Sequence, residues 1–475
     1  MIEAGLWTAE EVAQATGGRL TGDWRASGIS IDSRSVEDGD LFIALKGPTF
    51  DGHDYAGKAL KAGAAAAMVH RRADGIDESD PLIIVDDTFA ALWRLGTAAR
   101  ERTQARLIAV TGSAGKTGVK EALRHCLEPQ GLTAASVGSF NNHWGVPLSL
   151  ARMQRQAVYG VFELGMNHAG EISELTALVR PHVSIITNIE PAHLGNFDSI
   201  AGIADAKAEI FEGMDANGYA VLNRDNAFFH HLRDKAEAAG LSRILSFGRH
   251  GEADTRVIEE SLHATCSSVK AAVRGMELDY CLAMPGSHWV MNSLAVLTAI
   301  GAAGGDVAKA AAQLASLRPI KGRGERHSVE TPGGSFKLID DSYNANPTSM
   351  RAAFEVLGRS SVGEDGRRIA VLGDMLELGD QSQEMHASLS EALRDCGIDL
   401  VFTCGPDMAA LHAALPEDLR AVHCEDSKAL APQVAAAVRP GDSVLVKGSL
   451  GSRMAVVVEA LLALGTDLPR AANGQ

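Results

Sequence analysis

The segment Thr111-Gly112-Ser113-Ala114-Gly115-Lys116-Thr117 follows an apolar run, Leu107–Val110, and precedes an amphipathic stretch carrying Val119, Leu123 and Leu127. A glycine-rich turn between a strand and a helix aims backbone N–H groups and the positive end of the helix dipole at a phosphate. Lys116 would then bridge the outer phosphates, and Thr117 would ligate Mg²⁺. The generic phosphate-loop pattern is one glycine short, because Val110 stands where its first glycine belongs. A strand–helix turn with a chance Gly-Lys-Thr is the plainer alternative.

Glu163 stands just past the apolar run Tyr159–Phe162, and His193 just past Val183–Ile189. If those runs are strands of an open parallel sheet, both side chains lie at carboxyl ends, where such sheets bind ligands. Alone, each reads as an ordinary loop residue; beside a phosphate loop both suit a divalent ion. Lys207 is the most informative single position. Ile200, Ile203, Lys207, Ile210 and Phe211 share one face at helical spacing. A lysine there either snorkels to water or is desolvated, and desolvation lowers its pKa. A neutral amine can take up CO₂ as a carbamate, which turns a cation into an anionic oxygen ligand.

Asp340-Asp341 ends the run Phe336–Ile339 and leads into Ser342-Tyr343-Asn344-Ala345-Asn346-Pro347. A polar loop at a strand's carboxyl end suits ribose hydroxyls or a peptide, and it equally suits a plain Asx-rich turn. Lys447-Gly448-Ser449 follows Ser443–Val446; it suits a carboxylate or phosphate on the same terms.

The elements that must position these residues are short apolar runs alternating with helical stretches, the pattern of α/β layers. A chain of 475 residues has room for about three domains. In residues 1–84 the strands are Ile29–Ile31, Leu41–Leu45, Ala66–Val69 and Leu82–Val85, after which Asp86-Asp87-Thr88 caps a helix through Ala90, Leu92 and Leu95. The polar stretch Arg100–Arg106 reads as a hinge. Residues 85–316 hold the phosphate loop in a parallel sheet wound on both faces, with strands Leu107–Val110, Tyr159–Phe162, Val183–Ile189 and Tyr219–Leu222. A second hinge near Leu317–Gly322 opens residues 317–475, where Phe336–Ile339, Ile369–Leu372, Leu400–Thr403 and Ser443–Val446 predict a second nucleotide-fold-like unit.

Composition narrows the classes. At 46% hydrophobic residues the chain is neither disordered nor a disulfide miniature, and its six cysteines show no C-x-x-C pair. A net charge of −16 disfavours non-specific binding to nucleic acid or to an anionic membrane. Met1-Ile2-Glu3-Ala4 opens no secretory signal, and Met454–Leu464 is too short to span a membrane and carries Glu459. A soluble cytoplasmic protein is expected.

The combined motifs resemble the Mur ligases, ATP-dependent amide-forming enzymes of peptidoglycan precursor synthesis. The resemblance covers essentially the whole chain: Asp32-Ser33-Arg34, Gly39–Phe42 and Asp51-Gly52-His53; the shortened loop Thr111–Thr117 with Lys120-Glu121; Asn141-Asn142 ahead of Gly145–Leu148; Glu163-Leu164-Gly165; Asn188 with Ala192-His193-Leu194; Ala206–Ile210; Gly286-Ser287-His288 with Asn292; Lys321-Gly322-Arg323; Asp340–Pro347; Val371–Met375; and Lys447-Gly448-Ser449. The Asp340–Pro347 string is similar to the branch that adds a D-alanyl-D-alanine dipeptide.

That resemblance implies three α/β domains: a small N-terminal one holding a UDP-sugar, a central P-loop-type ATPase, and a C-terminal Rossmann-like one receiving the amine. It implies that Lys116 and the amides of Gly112, Ser113, Ala114 and Gly115 hold the ATP phosphates, while Thr117 and Glu163 hold one Mg²⁺. His193, Glu163 and a carbamylated Lys207 would hold a second ion. Lys116, His193 and Lys207 would thus carry the catalysis. Asn292, Arg323 and Asp341 would meet the adenosine or its phosphates. Ser33 and Arg34 fall on the UDP side, Asn141 and Asn142 with the substrate, and Asn344, Asn346 and Pro347 near the dipeptide. The implied substrates are UDP-N-acetylmuramoyl-tripeptide and D-Ala-D-Ala, handled by a monomer with no nucleic acid and no membrane insertion. Gly118 departs from a common Ser or Thr, and Leu450 from a common Arg. The competing readings are a sister amide ligase, a P-loop kinase and a nucleotide-gated interaction protein.

Overall fold

The computed structural model describes residues 5–191 and 194–466. The first unit opens with α1 (Ala9–Thr16), whose start is fixed by a reciprocal cap between Thr8 and Glu11. Its five-stranded sheet contains β1 (Arg19–Leu20), β2 (Gly28–Ser30), β3 (Asp40–Ile43), β4 (Ala66–Val69) and β5 (Leu82–Ile84), in the order β1-β5-β4-β3-β2. β3 and β4 are fully buried, as parallel strands covered on both faces must be. The helix α2 (Thr88–Arg102) then starts where the sequence places it, with the Asp87 carboxylate accepting from the Phe89 and Ala90 N–H groups.

The second unit is a nine-stranded sheet: β6 (Arg106–Thr111), β7 (Thr133–Ala135), β8 (Tyr159–Glu163), β9 (Val183–Ile186), β10 (Tyr219–Asn223), β11 (Arg243–Gly248), β12 (Thr255–Leu262), β13 (Ser267–Val273) and β14 (Met276–Leu282). Their order is β14-β13-β12-β11-β10-β9-β6-β8-β7. The helices that bear on the site are α3 (Lys116–Leu127), α4 (Gly145–Ala151), α5 (Glu171–Val179), α6 (Ile200–Ala208) and α7 (Ser287–Ala302). Pairing is parallel from β7 through β12, as expected, but β12-β13-β14 is an antiparallel meander that the parallel-sheet reading did not contain. Its last hairpin turns on Arg274-Gly275 at φ 50° and 89°, the left-handed pair of a two-residue turn.

The third unit is a six-stranded sheet of β15 (Glu325–Thr331), β16 (Gly334–Asp341), β17 (Arg368–Gly373), β18 (Leu400–Cys404), β19 (Arg420–Cys424) and β20 (Ser443–Lys447), ordered β15-β16-β20-β17-β18-β19. Only the β15–β16 pair is antiparallel. The helix α8 (Pro347–Gly358) is capped by Asn346 and has Pro347 in its first turn, where a missing N–H costs nothing.

The cores are not divided as the hinges suggested. One continuous apolar cluster runs from Trp7, Val12, Leu41 and Met68 through Leu92 and Leu95 into Leu107, Leu148 and Phe162. Trp7 Nε1 donates to the Ala151 carbonyl at 2.9 Å, Arg152 Nε donates to Ile29 O at 2.7 Å, and the Arg102 guanidinium lies 3.5 Å over the Trp7 ring. The expected hinge at Arg100–Arg106 is therefore a packed joint. The third unit, by contrast, owns both of its clusters, which begin at Val329 and draw nothing from earlier residues. Among the described residues no helix is long and apolar enough to cross a membrane, and all six cysteines are free thiols.

Candidate active site

β6 delivers the glycine-rich turn to the carboxyl edge of the central sheet, and α3 leaves from it. Gly112 sits at φ 143°, and a Cβ there would lie 1.9 Å from Thr187 Oγ1; no other residue fits. Gly115, at φ 84°, starts α3 with no side-chain cap, so the first-turn amides face outward with the positive dipole end behind them. The loop is pegged from β9's far end: Asn188 O accepts from the Ser113 N–H at 3.0 Å, and Asn188 Oδ1 from the Ala114 N–H at 2.9 Å. The Ser113 and Ala114 amides are thus both held by Asn188 in this structure. Lys116 Nζ folds back onto Gly112 O at 2.8 Å. Burial lowers its pKa, with Glu163 pulling the other way.

Glu163, at the end of β8, is 1% exposed. Its Oε1 accepts from Asn141 Nδ2 at 2.8 Å, while Oε2 is buried and has no hydrogen-bond partner among the described residues. A carboxylate oxygen left bare in the interior costs desolvation energy, which a cation would return. Thr117 is 3% exposed on the adjacent helical turn. Lys207 is 1% exposed near the end of α6; burial first, then the neighbouring Lys116 charge, holds its pKa well below the usual lysine value. These groups fit a divalent cation with one anionic ligand already present. His193 lies outside the described residues.

One cavity of about 440 Å³ collects most of the expected residues: Ser113 to Thr117, Asn141, Asn142, Glu163 and Asn292 from the second unit, with Arg323, Asp341, Asn344 and Asn346 from the third. Gly112, Lys207, Pro347, Ser33 and Arg34 are not among its lining residues. Arg34 is exposed and paired with Asp32 at 2.6 Å on the first unit. Asn292 reaches over the phosphate loop, its Oδ1 2.9 Å from where a Gly115 Cβ would be. Gly118 has a similar neighbour, since a Cβ there would meet the Trp289 ring at 3.0 Å.

The third unit closes the far wall. Lys447 Nζ donates to Asp341 Oδ2 at 2.6 Å and to Asn344 O at 2.9 Å, tying β20 to β16. Burial raises the Asp341 pKa and Lys447 opposes that rise. The Arg323 guanidinium lies 4.4 Å over the Tyr343 ring, and the Tyr343 hydroxyl hydrogen-bonds Ser139 of the second unit. Asn346 Nδ2 reaches Ser113 O at 3.4 Å, and the Gly195 N–H donates to Glu377 O at 3.1 Å. Lys116, Arg323 and Lys447 thus face one cavity beside an open helix start, a set matched to a triphosphate. Lys120 has a role that its sequence context does not reveal. It is fully buried and donates to Ser136 O at 2.6 Å, Gly138 O at 2.8 Å and Glu121 Oε1 at 2.5 Å, fixing the loop that carries Ser139 and Asn141.

Comparison with known proteins agrees with this geometry. The Mur ligase family catalytic domain is matched over residues 25–98, the Mur ligase middle domain over 110–300, and the Mur ligase glutamate ligase domain over 322–450. The chain belongs to the Mur ligase family. This Mur ligase is 35% identical over 464 residues to the UDP-N-acetylmuramoyl-tripeptide–D-alanyl-D-alanine ligase of Escherichia coli, covering 97% of this chain and 99% of the relative. It is 33% identical over 454 residues to the enzyme of that name from Rickettsia prowazekii, covering 96% and 99%. Among solved structures, a MurF from Acinetobacter baumannii superposes with a TM-score of 0.82 at 32% identity, covering 96% of this chain and 99% of that one. A MurF ligase from Thermotoga maritima in complex with ADP gives 0.76 at 27% identity, covering 92% and 98%. The three-domain α/β architecture and ATP dependence of the family follow.

Proposed function

We propose that this Mur ligase joins D-alanyl-D-alanine to UDP-N-acetylmuramoyl-tripeptide in peptidoglycan precursor synthesis, spending ATP and releasing ADP and phosphate. The carrying observation is one cavity in which an uncapped helix start, Lys116 and the bare carboxylate oxygen of Glu163 meet. A carboxylate does not react with an amine at neutral pH because its oxygen is a poor leaving group. In-line transfer of the γ-phosphoryl group of ATP to the tripeptide's terminal carboxylate gives an acyl phosphate and ADP. The dipeptide amine then attacks the acyl carbon, a tetrahedral intermediate forms, and phosphate leaves with the C–O bond.

Lys116, Arg323 and the α3 amides would neutralise the transferring phosphoryl group, work that is mostly positioning and electrostatics. Mg²⁺, when bound, would spread that charge further. Thr117, Glu163 and His193 would hold it, with Lys207 as a carbamate. Burial lowers the pKa of Lys207 and so favours its neutral amine, the form that can add CO₂ and release a proton. Asn292 and Asp341 would take the nucleoside. Asn141, Asn142, Asn344, Asn346 and Pro347 would line the peptide path, and Ser33 and Arg34 would serve the UDP end. The divisions 1–84, 85–316 and 317–475 separate donor, nucleotide and amine. A cytoplasmic monomer is the proposed working form.

The test offers the protein ATP, Mg²⁺, D-Ala-D-Ala and UDP-tripeptides ending in meso-diaminopimelate or L-lysine, and follows phosphate release and product mass. Release that requires the dipeptide and yields the amide is expected. A stable phosphorylated product, or release indifferent to the dipeptide, would overturn the proposal. For Lys207, CO₂ depletion is expected to lower native activity, and short carboxylates to restore some to Lys207→Ala.

A further inference from the structure

The opposite edge of the central sheet holds a second cleft, of about 1060 Å³, that the proposed reaction does not use. Arg106 begins β6, His182 precedes β9, Tyr219 begins β10 and Arg243 begins β11, so the cleft lies at the amino ends of the strands. The catalytic cavity lies at their carboxyl ends, about 20 Å away by strand length. Arg100 and Arg180 join Arg106 and Arg243 in lining it.

These arginines are left without acids. Arg100 donates to Val179 O at 2.7 Å and Arg180 O at 3.0 Å, and Arg243 donates to Asn217 O at 3.3 Å, all carbonyls. Among the described residues, the Arg106 and Arg180 guanidiniums have no hydrogen-bond or ion-pair partner. The three carboxylates in the lining do not compensate. Glu212 accepts from Ser173 Oγ at 2.5 Å, Asp215 is turned onto the Asn217 N–H at 3.0 Å, and Glu101 is exposed. Like charges so gathered repel, on a chain of net charge −16 where acids are plentiful. His182 adds a donor: its Nδ1 accepts from the Leu107 N–H at 3.0 Å, which leaves the proton of the neutral ring on Nε2.

We propose that this cleft binds a small anion carrying a pyrophosphoryl group, at a site separate from the catalytic cavity. Several guanidinium forks lining one cleft, those of Arg106, Arg180 and Arg243 exposed to solvent, match adjacent phosphates better than a single carboxylate. The volume admits a nucleotide as readily as free pyrophosphate.

The test is calorimetric titration of the full-length Lys116→Ala protein, in which the catalytic loop is weakened, with pyrophosphate, UDP and ADP at matched ionic strength. Saturable one-site binding of pyrophosphate is expected, weakened at least about tenfold when Arg106→Gln and Arg180→Gln are added. Tighter binding of UDP or ADP that the same arginine changes weaken would identify a nucleotide as the source, and equal arginine-dependent binding the pyrophosphoryl group alone. Should the double change unfold the protein, Arg180→Gln alone removes an exposed side chain and should still weaken binding. No saturable binding, or binding indifferent to the arginine changes, would overturn the proposal.

Discussion

Lys120 and Lys207 are both buried lysines, and their surroundings give them opposite roles. Lys120 spends its three donors on Glu121 and two loop carbonyls. Lys120→Met should therefore destabilise the central unit by about 2–4 kcal/mol in denaturant unfolding, and lower kcat because Asn141 loses its footing beside Glu163. Among the described residues Lys207 has no such partners, and its burial favours the neutral amine. In metal-free protein Lys207→Met should raise stability by about 1–3 kcal/mol while abolishing turnover. The unfolded chain binds a proton on Lys207 up to its ordinary value of 10.5, so the native protein gains stability as pH rises toward that value. The gap to Lys207→Met should close over the same range; a gap that widens would contradict the account. The apolar face around Lys207 was legible in the sequence. Lys120 was not, because helical spacing records where a side chain points and says nothing of the carbonyls that later fold over it.

The strand–loop–helix around Gly112–Thr117 was legible as an element because its phosphate-binding features are local. Glycine conformations, the helix start and the β6 run lie within twenty-two residues, Arg106–Leu127. What holds the loop in place comes from elsewhere. Asn188 pegs two of its amides from beyond β9; the resemblance marks Asn188 as a motif residue, but nothing in the sequence says that it bonds this loop. Asn188→Ala removes one of the two, and should raise KM for ATP about tenfold with a smaller change in kcat; unchanged KM would show that the loop holds itself. The β12-β13-β14 meander escaped notice for a related reason. β12 carries polar residues on its open side and little continuous apolar sequence, and Arg-Gly is a weak turn signal beside Asn-Gly.

At the scale of the molecule, two hinges were legible as polar stretches and only one is a free joint. Arg100–Arg106 looks polar in sequence, yet Arg102 stacks on Trp7 and the first two units share a core. The Leu317–Gly322 stretch joins units whose cores are separate, and Arg318 and Lys321 are exposed there. Limited trypsin treatment should cut first at Arg318 or Lys321, leaving the first two units as one fragment. ATP with the donor substrate should slow that cut by holding the third unit against the cavity it already walls. First cleavage at Arg102 would reverse the assignment. Because the third unit keeps its own core, its sequence can diverge without loosening the phosphate machinery. Swapping residues 324–466 for the matching span of a sister ligase, with Asp341 and Lys447 of the nucleotide cavity retained, should thus redirect which amine is accepted while leaving nucleotide affinity intact, a route by which one ancestral engine acquires new acceptors.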